Sequence, residues 1–492
     1  MERLSNQTLK ANTCSQIAKP LYDREVVKSG IVHLGIGAFH RAHQAVYTEK
    51  VLNAFGGDWG IIGASLRSAS VADQLEPQDG LYTVVERSGE GERYQVVGAV
   101  QRVMVGPQDP AGLVGVMADE SIKIVSLTVT EKGYCHDPAS GDINWSHPDI
   151  QHDLAHLDTP KSAIGYIVAA LKVRKQNNIK SFTALSCDNL PDNGNILAKA
   201  VTQFAYKIDS ALGSWIEVNT AFPCTMIDRI VPATTPDDKA ALQSAVGYVD
   251  RGVVVTEPFS QWVIEDKFCN DRPEWERVGA LVVGDVTAFE HLKLRLLNGS
   301  HSLLAYCGYL AGCETVSDAM SKPELNALVK QYMDNDAGTT VYVPEGFDVN
   351  AYKDELRNRF KNPALKHRTW QIAMDGSQKL PQRMLGALRM HLESGGHYEV
   401  ILLALAAWIK YVGAVDEKGE EIDVQDPLAG QLKAVHGNAT SSEELIEGML
   451  SVEAVFKADL KQDSTFKKRL LEVYNYIESK GVMAGVARAL DV

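Results

Sequence analysis

Ser29-Gly-Ile-Val-His-Leu-Gly35-Ile-Gly37-Ala-Phe-His40-Arg-Ala-His43 is the stretch that decides the fold. Ile31 to Leu34 is a short β-type run, a glycine turn ends it, and a helical stretch follows through Leu52. A strand that feeds a helix through two glycines lets the backbone approach a pyrophosphate at the helix N-terminus. His40 stands where the G-x-G-x-x-G pattern has its third glycine, so the fingerprint is incomplete and a plain glycine turn is the competing reading. Outward from this stretch, residues 59–66 (WGIIGASL) read as a second strand and 122–130 (IKIVSLTVT) as a buried one. A helical stretch at 163–172 then precedes a further strand at 181–186 (SFTALS). This β-α-β alternation predicts an α/β domain with a parallel, doubly wound sheet. No acidic residue ends the second strand. Leu66 is followed by Arg67-Ser68-Ala69-Ser70, and Asp58 lies at the wrong end. An acidic side chain there grips the ribose 2′-hydroxyl of NAD, whereas a nearby Arg suits the 2′-phosphate of NADP. Spacing alone leaves the cofactor open.

Beyond about residue 285 the pattern turns helical. Thr287-Ala-Phe-Glu290 reads as a capping box before an apolar run. Phe289, Leu292, Leu296, Leu303 and Leu310 recur at helical spacing, and further helix-like segments lie at 324–333, 382–392, 398–412 and 466–480. The reading is therefore an α/β, dinucleotide-binding domain over 1–284 and a mostly α-helical C-terminal domain over 285–492. A helix at such a junction is expected to face a cleft, where ligand pockets are common.

The 492 residues suit two domains, and 45% hydrophobic content suits a globular chain with large cores. A net charge of −14 argues against nucleic-acid and anionic-membrane partners. The first twenty residues are polar and carry no secretory h-region, and the longest apolar stretch, 400–409, is too short to span a bilayer. Seven cysteines without a Cys-x-x-Cys suggest a reduced, cytoplasmic protein and offer no zinc pattern.

Lys293-Leu-Arg-Leu-Leu-Asn298-Gly-Ser-His301 places an amine, a carboxamide and an imidazole within nine residues. Lys can act as a base if its pKa is depressed, and Asn and His can donate to a carbonyl oxygen gaining charge. That set suits reversible carbonyl reduction without a metal. A straight α-helix opposes it: eight residues span ~12 Å along the axis and the three side chains an arc of ~140°. Convergence needs a long lysine reach or a distortion near Gly299. Polar clusters also follow strands at Thr130-Glu-Lys-Gly133, Ser186-Cys-Asp-Asn189 and Asp228-Arg229. Each could equally be a capped turn.

GIGAFHRAHQAVY (35–47), SLTVTEKGY (126–134), SCDN (186–189), CTMIDRIVP (224–232), EPFSQWVIED (257–266), the Lys293 segment and HRTWQIAMDGSQKLPQR (367–383) together resemble the polyol-specific long-chain dehydrogenases, the mannitol dehydrogenase family. The resemblance runs over nearly the whole chain. It implies a Rossmann-type domain followed by a helical domain, NAD as cofactor with NADP kept open by Arg67, and no metal. It implies Lys293 as the general acid/base, Asn298 and His301 as polarisers of the substrate oxygen, and Glu290 as a gate for proton exchange. Gly35, Ile36, Gly37, Ala38 and Phe39 would form the nucleotide loop, with Arg67 beside it. Asn189, Asp228 and Lys379 match substrate-side positions. Similarity is strongest to the branch that acts on hexuronates. Where the mannitol enzymes carry Arg and His before the DGS-x-K motif, this chain has Gln371 and Met374. The implied reaction is reduction of the hexuronate D-fructuronate to the aldonate D-mannonate. Tagaturonate and a neutral polyol such as mannitol are alternatives, and a nucleotide-binding sensor without chemistry is a third class. A uronate needs a cation, for which Arg368, Lys379, Arg383 and Arg229 are candidates.

Overall fold

The computed structural model describes residues 1–137 and 140–491. The chain divides into two compact units, Met1–Thr287 and Ala288–Val492. In the first unit, a five-stranded sheet is built from β1 (Ser29–Leu34), β2 (Gly60–Ser65), β3 (Val100–Val105), β4 (Ile124–Leu127) and β5 (Thr183–Ser186), in the order β3-β2-β1-β4-β5. Every pairing in it is parallel. Alternation of side chains explains why helices must cover both faces. Val32, Leu34, Val125, Leu127 and Ala184 belong to one buried core, and Ile31, Ile61, Ile124 and Leu185 to another. Strands buried on both faces lack an alternating polar face, and β4 and β5 are buried at every position although they include Ser126, Thr183 and Ser186. The edge strand β3 is only partly buried, with Arg102 exposed.

Register aligns the carboxyl ends of four strands: Leu34 pairs with Ala64 and with Leu127, and Leu127 pairs with Ser186. Strand order reverses between β1 and β4, which is where ligands bind in open α/β sheets. The stretch 122–130 is strand only over its middle, because Thr128–Thr130 leaves the ladder at this edge. The helical stretch after the glycine turn is also broken, into Ala38–Ala42 and Gln44–Phe55, at His43.

The second unit is helical. Its central helix, Glu399–Val412, buries nearly every residue, as an all-round apolar sequence requires, and Ser464–Lys480 packs beside it. Thr287 is the first residue of its helix rather than the cap before it. Its amide and hydroxyl both donate to the Asp285 carboxylate, at 2.8 and 2.6 Å. No helix among the described residues is long and apolar enough to cross a membrane. All seven cysteines are free, and no group of three or more His, Cys, Asp or Glu among the described residues is placed to hold a metal ion.

Candidate functional site

In the first unit a cleft of about 850 Å³ opens at the carboxyl ends of β1, β2 and β4. Gly35, Ile36 and Gly37 form one wall, Ser65 to Ser68 a second, and Thr128 to Thr130 a third. Gly35 has φ +89°, and a Cβ there would overlap the Thr128 carbonyl, so only glycine brings the two loops together. Gly37 caps the next helix and is open on its far side, its nearest neighbour 3.9 Å from where a Cβ would stand. That is a cradle a side chain would fill, and it fits the close approach of a dinucleotide pyrophosphate. Ile36 lies buried against Gly63, where any larger residue would collide with it. Ala38 and Phe39 do not line the cleft. The Phe39 ring stacks on His43 at 5.1 Å.

His40, in place of a third glycine, is packing rather than ligand. Its ring stacks on His33 of β1 at 3.4 Å. Burial drives both pKa values down, His40 to about 3 and His33 well below its ordinary value. His33 in turn bonds Ser126 Oγ at 2.8 Å and Thr128 Oγ1 at 2.9 Å, and Thr128 donates to the Gly35 carbonyl at 2.8 Å. A buried polar chain thus ties the glycine loop to the end of β4. Arg67 is exposed on the wall after β2, beside Ser68, and no carboxylate from that segment lines the cleft.

Sequence reasoning passed over Asp188 as one member of a polar cluster. Its carboxylate accepts from Val129 N–H at 3.0 Å, Thr130 N–H at 2.8 Å and the Tyr134 hydroxyl at 2.9 Å. Thr130 sits at φ 65°, ψ 164°, a region that costs of order 1–3 kcal/mol for a residue with a Cβ. Asp188 holds that turn in place. We expect Asp188→Asn to lose about 1–3 kcal/mol of stability, since an amide cannot accept from all three donors. It should also weaken NADH binding, as read by thermal denaturation and fluorescence titration; unchanged values in both would remove the role.

The other sites expected in this unit lie apart from the cleft lining. Asn189 is exposed just after β5. Asp228 is buried at the end of the strand Thr225–Asp228, beside Gln261. Arg229 is not a free cation: its guanidinium donates to the Ala42 carbonyl, to the Glu257 carbonyl at 2.9 and 3.1 Å and to Glu86 at 2.6 Å. A substrate carboxylate would have to displace all of these.

In the second unit the segment carrying Lys293, Asn298 and His301 is not a regular α-helix. Lys293–Asn298 winds as a π-helix, Gly299–Leu303 returns to α, and Leu304–Gly308 is π again. A π turn bonds residue i to i+5, so Lys293 and Asn298, five apart, fall on one face rather than ~140° apart as in an α-helix. His301 follows Asn298 by one α turn. Their relative exposures are 7, 7 and 8%, and the Asn298 Oδ1 and His301 Nε2 atoms are buried without a hydrogen-bond partner. Such orphaned polar atoms are costly in a core and useful in a site. Glu290, half-buried, precedes Lys293 by three residues on the same helix.

His301 is packed by Phe360 at 4.7 Å and, edge to face, by His367 at 5.3 Å. Burial lowers both imidazoles, His367 to about 4. The neighbouring His367 and the cations Arg383, Arg359 and Lys379 lower His301 further. Both rings are therefore neutral near pH 7 and able to donate one N–H each. Lys379 donates to the carbonyls of Ile372 (3.2 Å) and Met374 (2.5 Å), and burial with Arg383 nearby brings its pKa down to about 8. Arg383, brought down to about 10 by burial, donates to the Asn298 carbonyl (3.2 Å) and Ser302 Oγ (3.1 Å). Among the described residues neither makes an ion pair, although the Asp375 and Asp426 carboxylates lie near enough to oppose the fall at Lys379. Arg368 stands outside this group, with an exposed side chain 3.8 Å from Glu314. His367 was passed over in the sequence. Its only sign was its place at the head of the 367–383 stretch.

A parallel sheet with a glycine cradle at its switch point, and a separate helical unit carrying a buried Lys-Asn-His set, define a dinucleotide-dependent dehydrogenase of two domains. The chain belongs to the mannitol dehydrogenase family. Residues 29–277 match the mannitol dehydrogenase Rossmann domain, and 285–478 match the mannitol dehydrogenase C-terminal domain. It is an oxidoreductase acting on CH–OH groups. It is 44% identical to D-mannonate oxidoreductase of Escherichia coli K12, over 96% of this chain and 98% of that one. It is 43% identical to the uncharacterized oxidoreductase YeiQ of the same organism, over 96% and 97%. Among solved structures it superposes on Pseudomonas fluorescens mannitol 2-dehydrogenase in ternary complex with NAD and D-mannitol. The TM-score is 0.89 at 36% identity, covering 99% of each chain.

Proposed function

We propose that the chain reduces D-fructuronate at its C5 ketone to D-mannonate, reversibly, with NAD(H) as cofactor. The reduced nicotinamide supplies the hydride. Gly35 and Gly37 leave room for the pyrophosphate backbone, and the Thr128–Thr130 turn, held by Asp188, forms the wall across from them. Lys293 gives the proton to the substrate oxygen in reduction and takes it back in oxidation. Asn298 and neutral His301 donate hydrogen bonds to that oxygen as it gains charge. Glu290 exchanges the proton of Lys293 with solvent. Asn189 and Asp228 bind substrate hydroxyls.

One observation supports an anionic substrate over a neutral polyol: Lys379 and Arg383, both largely buried, act on His301, and among the described residues neither makes an ion pair, the Asp375 and Asp426 carboxylates reaching Lys379 only from beyond bonding distance. Buried charge is normally paired, and a uronate carboxylate supplies the missing anion. The similarity to D-mannonate oxidoreductase points the same way. The test is NADH oxidation with fructuronate, tagaturonate and fructose, each with NADH and NADPH. Turnover with fructuronate well above the others supports the reading. Turnover with fructose overturns it in favour of a polyol dehydrogenase.

The pH dependence gives a second check. Lys379 is charged below about pH 8 and loses its proton above it. The KM for a uronate should therefore rise above that pH by up to about tenfold per unit, one proton being lost. The KM for a neutral keto-sugar should not follow. A flat uronate KM between pH 7 and 9.5 removes Lys379 from carboxylate binding.

A further inference from the structure

The π turn that brings Lys293 and Asn298 onto one face needs a cause, because π geometry is rare and costs backbone hydrogen bonding. In an α-helix the Arg295 carbonyl would accept from the Gly299 N–H. Here the Gly299 N–H goes instead to the carbonyls of Leu294, five residues back, and Leu296. The Tyr332 hydroxyl, from another helix of the same unit, donates to the Arg295 carbonyl at 3.0 Å. Tyr332 is completely buried, and among the described residues its hydroxyl donates to that carbonyl alone. Gly299 makes the approach possible, since a Cβ at 299 would overlap the Tyr332 hydroxyl and ring. Arg383 holds the next carbonyl of interest, that of Asn298, from a third segment.

From this geometry we propose that Tyr332 is a positioning residue for the reaction: its hydroxyl replaces the α-helical donor to Arg295, and Gly299 admits it, so that the segment stays in the π form that aligns Lys293 with Asn298. The inference rests on the reading of Lys293 and Asn298 as the reacting groups. It goes beyond that reading by naming a residue that touches neither substrate nor cofactor and sets the alignment through the main chain. Without the hydroxyl, the Arg295 carbonyl recovers a partner most directly by recapturing the Gly299 N–H. That returns the turn to α and rotates Lys293 away from Asn298.

Tyr332→Phe removes only the hydroxyl. In protein that keeps a single cooperative thermal transition and an unchanged Kd for NADH, kcat should fall by about 10- to 100-fold, the loss expected for an ångström-scale misplacement. The pH at which kcat is half-maximal should also move, because the surroundings of the Lys293 amine change. A merely structural role would lower the melting temperature and leave the pH profile of the remaining activity alone. Gly299→Ala, which pushes the hydroxyl off its carbonyl from the other side, should give the same shift and serves if Tyr332→Phe does not fold. Folded variants with wild-type kcat and pH profile overturn the proposal. Lys293→Ala, measured alongside, separates the two claims: full activity in that variant overturns the reading of the site and this inference with it. Loss of activity there with unaltered Tyr332→Phe overturns the inference alone.

Discussion

Lys293→Ala is expected to abolish turnover while leaving NADH binding nearly intact. A positioned acid or base is worth roughly 10²–10⁴-fold. Glu290 and His301, the other ionisable groups of the segment, already have roles of their own in this reading, so the loss should lie at the upper end. Lys293 as a residue is only 7% exposed, so water does not readily take its place. The nucleotide cradle is built from Gly35 to Gly37, Ser65 to Ser68 and Thr128 to Thr130 in the other unit. The measurement is kcat for the keto-acid at saturating NADH, beside a fluorescence titration of NADH. Added primary amines should restore part of the rate in the alanine variant, because they return the missing group. A variant that loses NADH binding together with activity assigns Lys293 a structural role. One that keeps more than about a tenth of the rate removes it as the acid, since even the weakest such groups contribute about 10²-fold.

The sheet could be read from the sequence because its strands are buried on both faces. Residues 31–34, 124–127 and 183–186 are mostly apolar, interrupted only by His33, Ser126, Thr183 and Ser186, and glycine or helix signals bound them. The end of β4 could not. A positive φ at Thr130 leaves no mark in composition, as threonine is among the residues least expected there, and the carboxylate that holds it lies 58 residues away. The long helix 399–412 announced itself by being apolar all round. The π turn stayed hidden for a different reason. Phe289, Leu292, Leu296, Leu303 and Leu310 keep spacings of three, four and seven, and one inserted residue leaves such a series looking α-helical. The sequence did carry the contradiction, three candidate groups that a straight helix spreads over an arc of ~140°, and Gly299 was the one residue hinting at its resolution. The candidate cations were ranked by structure alone. Arg229 spends its donors on carbonyls and Glu86, Arg368 lies in solvent, and Lys379 and Arg383 are buried and donate to carbonyls, differences that for Arg229, Arg368 and Arg383 depend on contacts across tens of residues.

Asn298→Ala should cost about 10²–10³-fold in kcat, the usual loss for one donor to a developing oxyanion, with little change in the Kd for NADH. The buried Oδ1 of Asn298 has no partner, so the side chain is not retained for internal hydrogen bonding, and truncation leaves no protein group stranded. Stability should therefore fall only modestly while the rate falls steeply, a split that separates a site residue from a core one. Asn298→Asp carries the argument further. A carboxylate on the same face of the π turn as Lys293 favours the ammonium and raises the lysine pKa. Alcohol oxidation needs the neutral amine, so its pH optimum should move upward. Reduction needs the ammonium and should hold its residual rate to higher pH. The oxidation rate of Asn298→Asp across pH 6–10 decides the point. An optimum that stays where the unmodified enzyme has it means that residue 298 does not lie beside the Lys293 amine, and the π turn then has no part in aligning them.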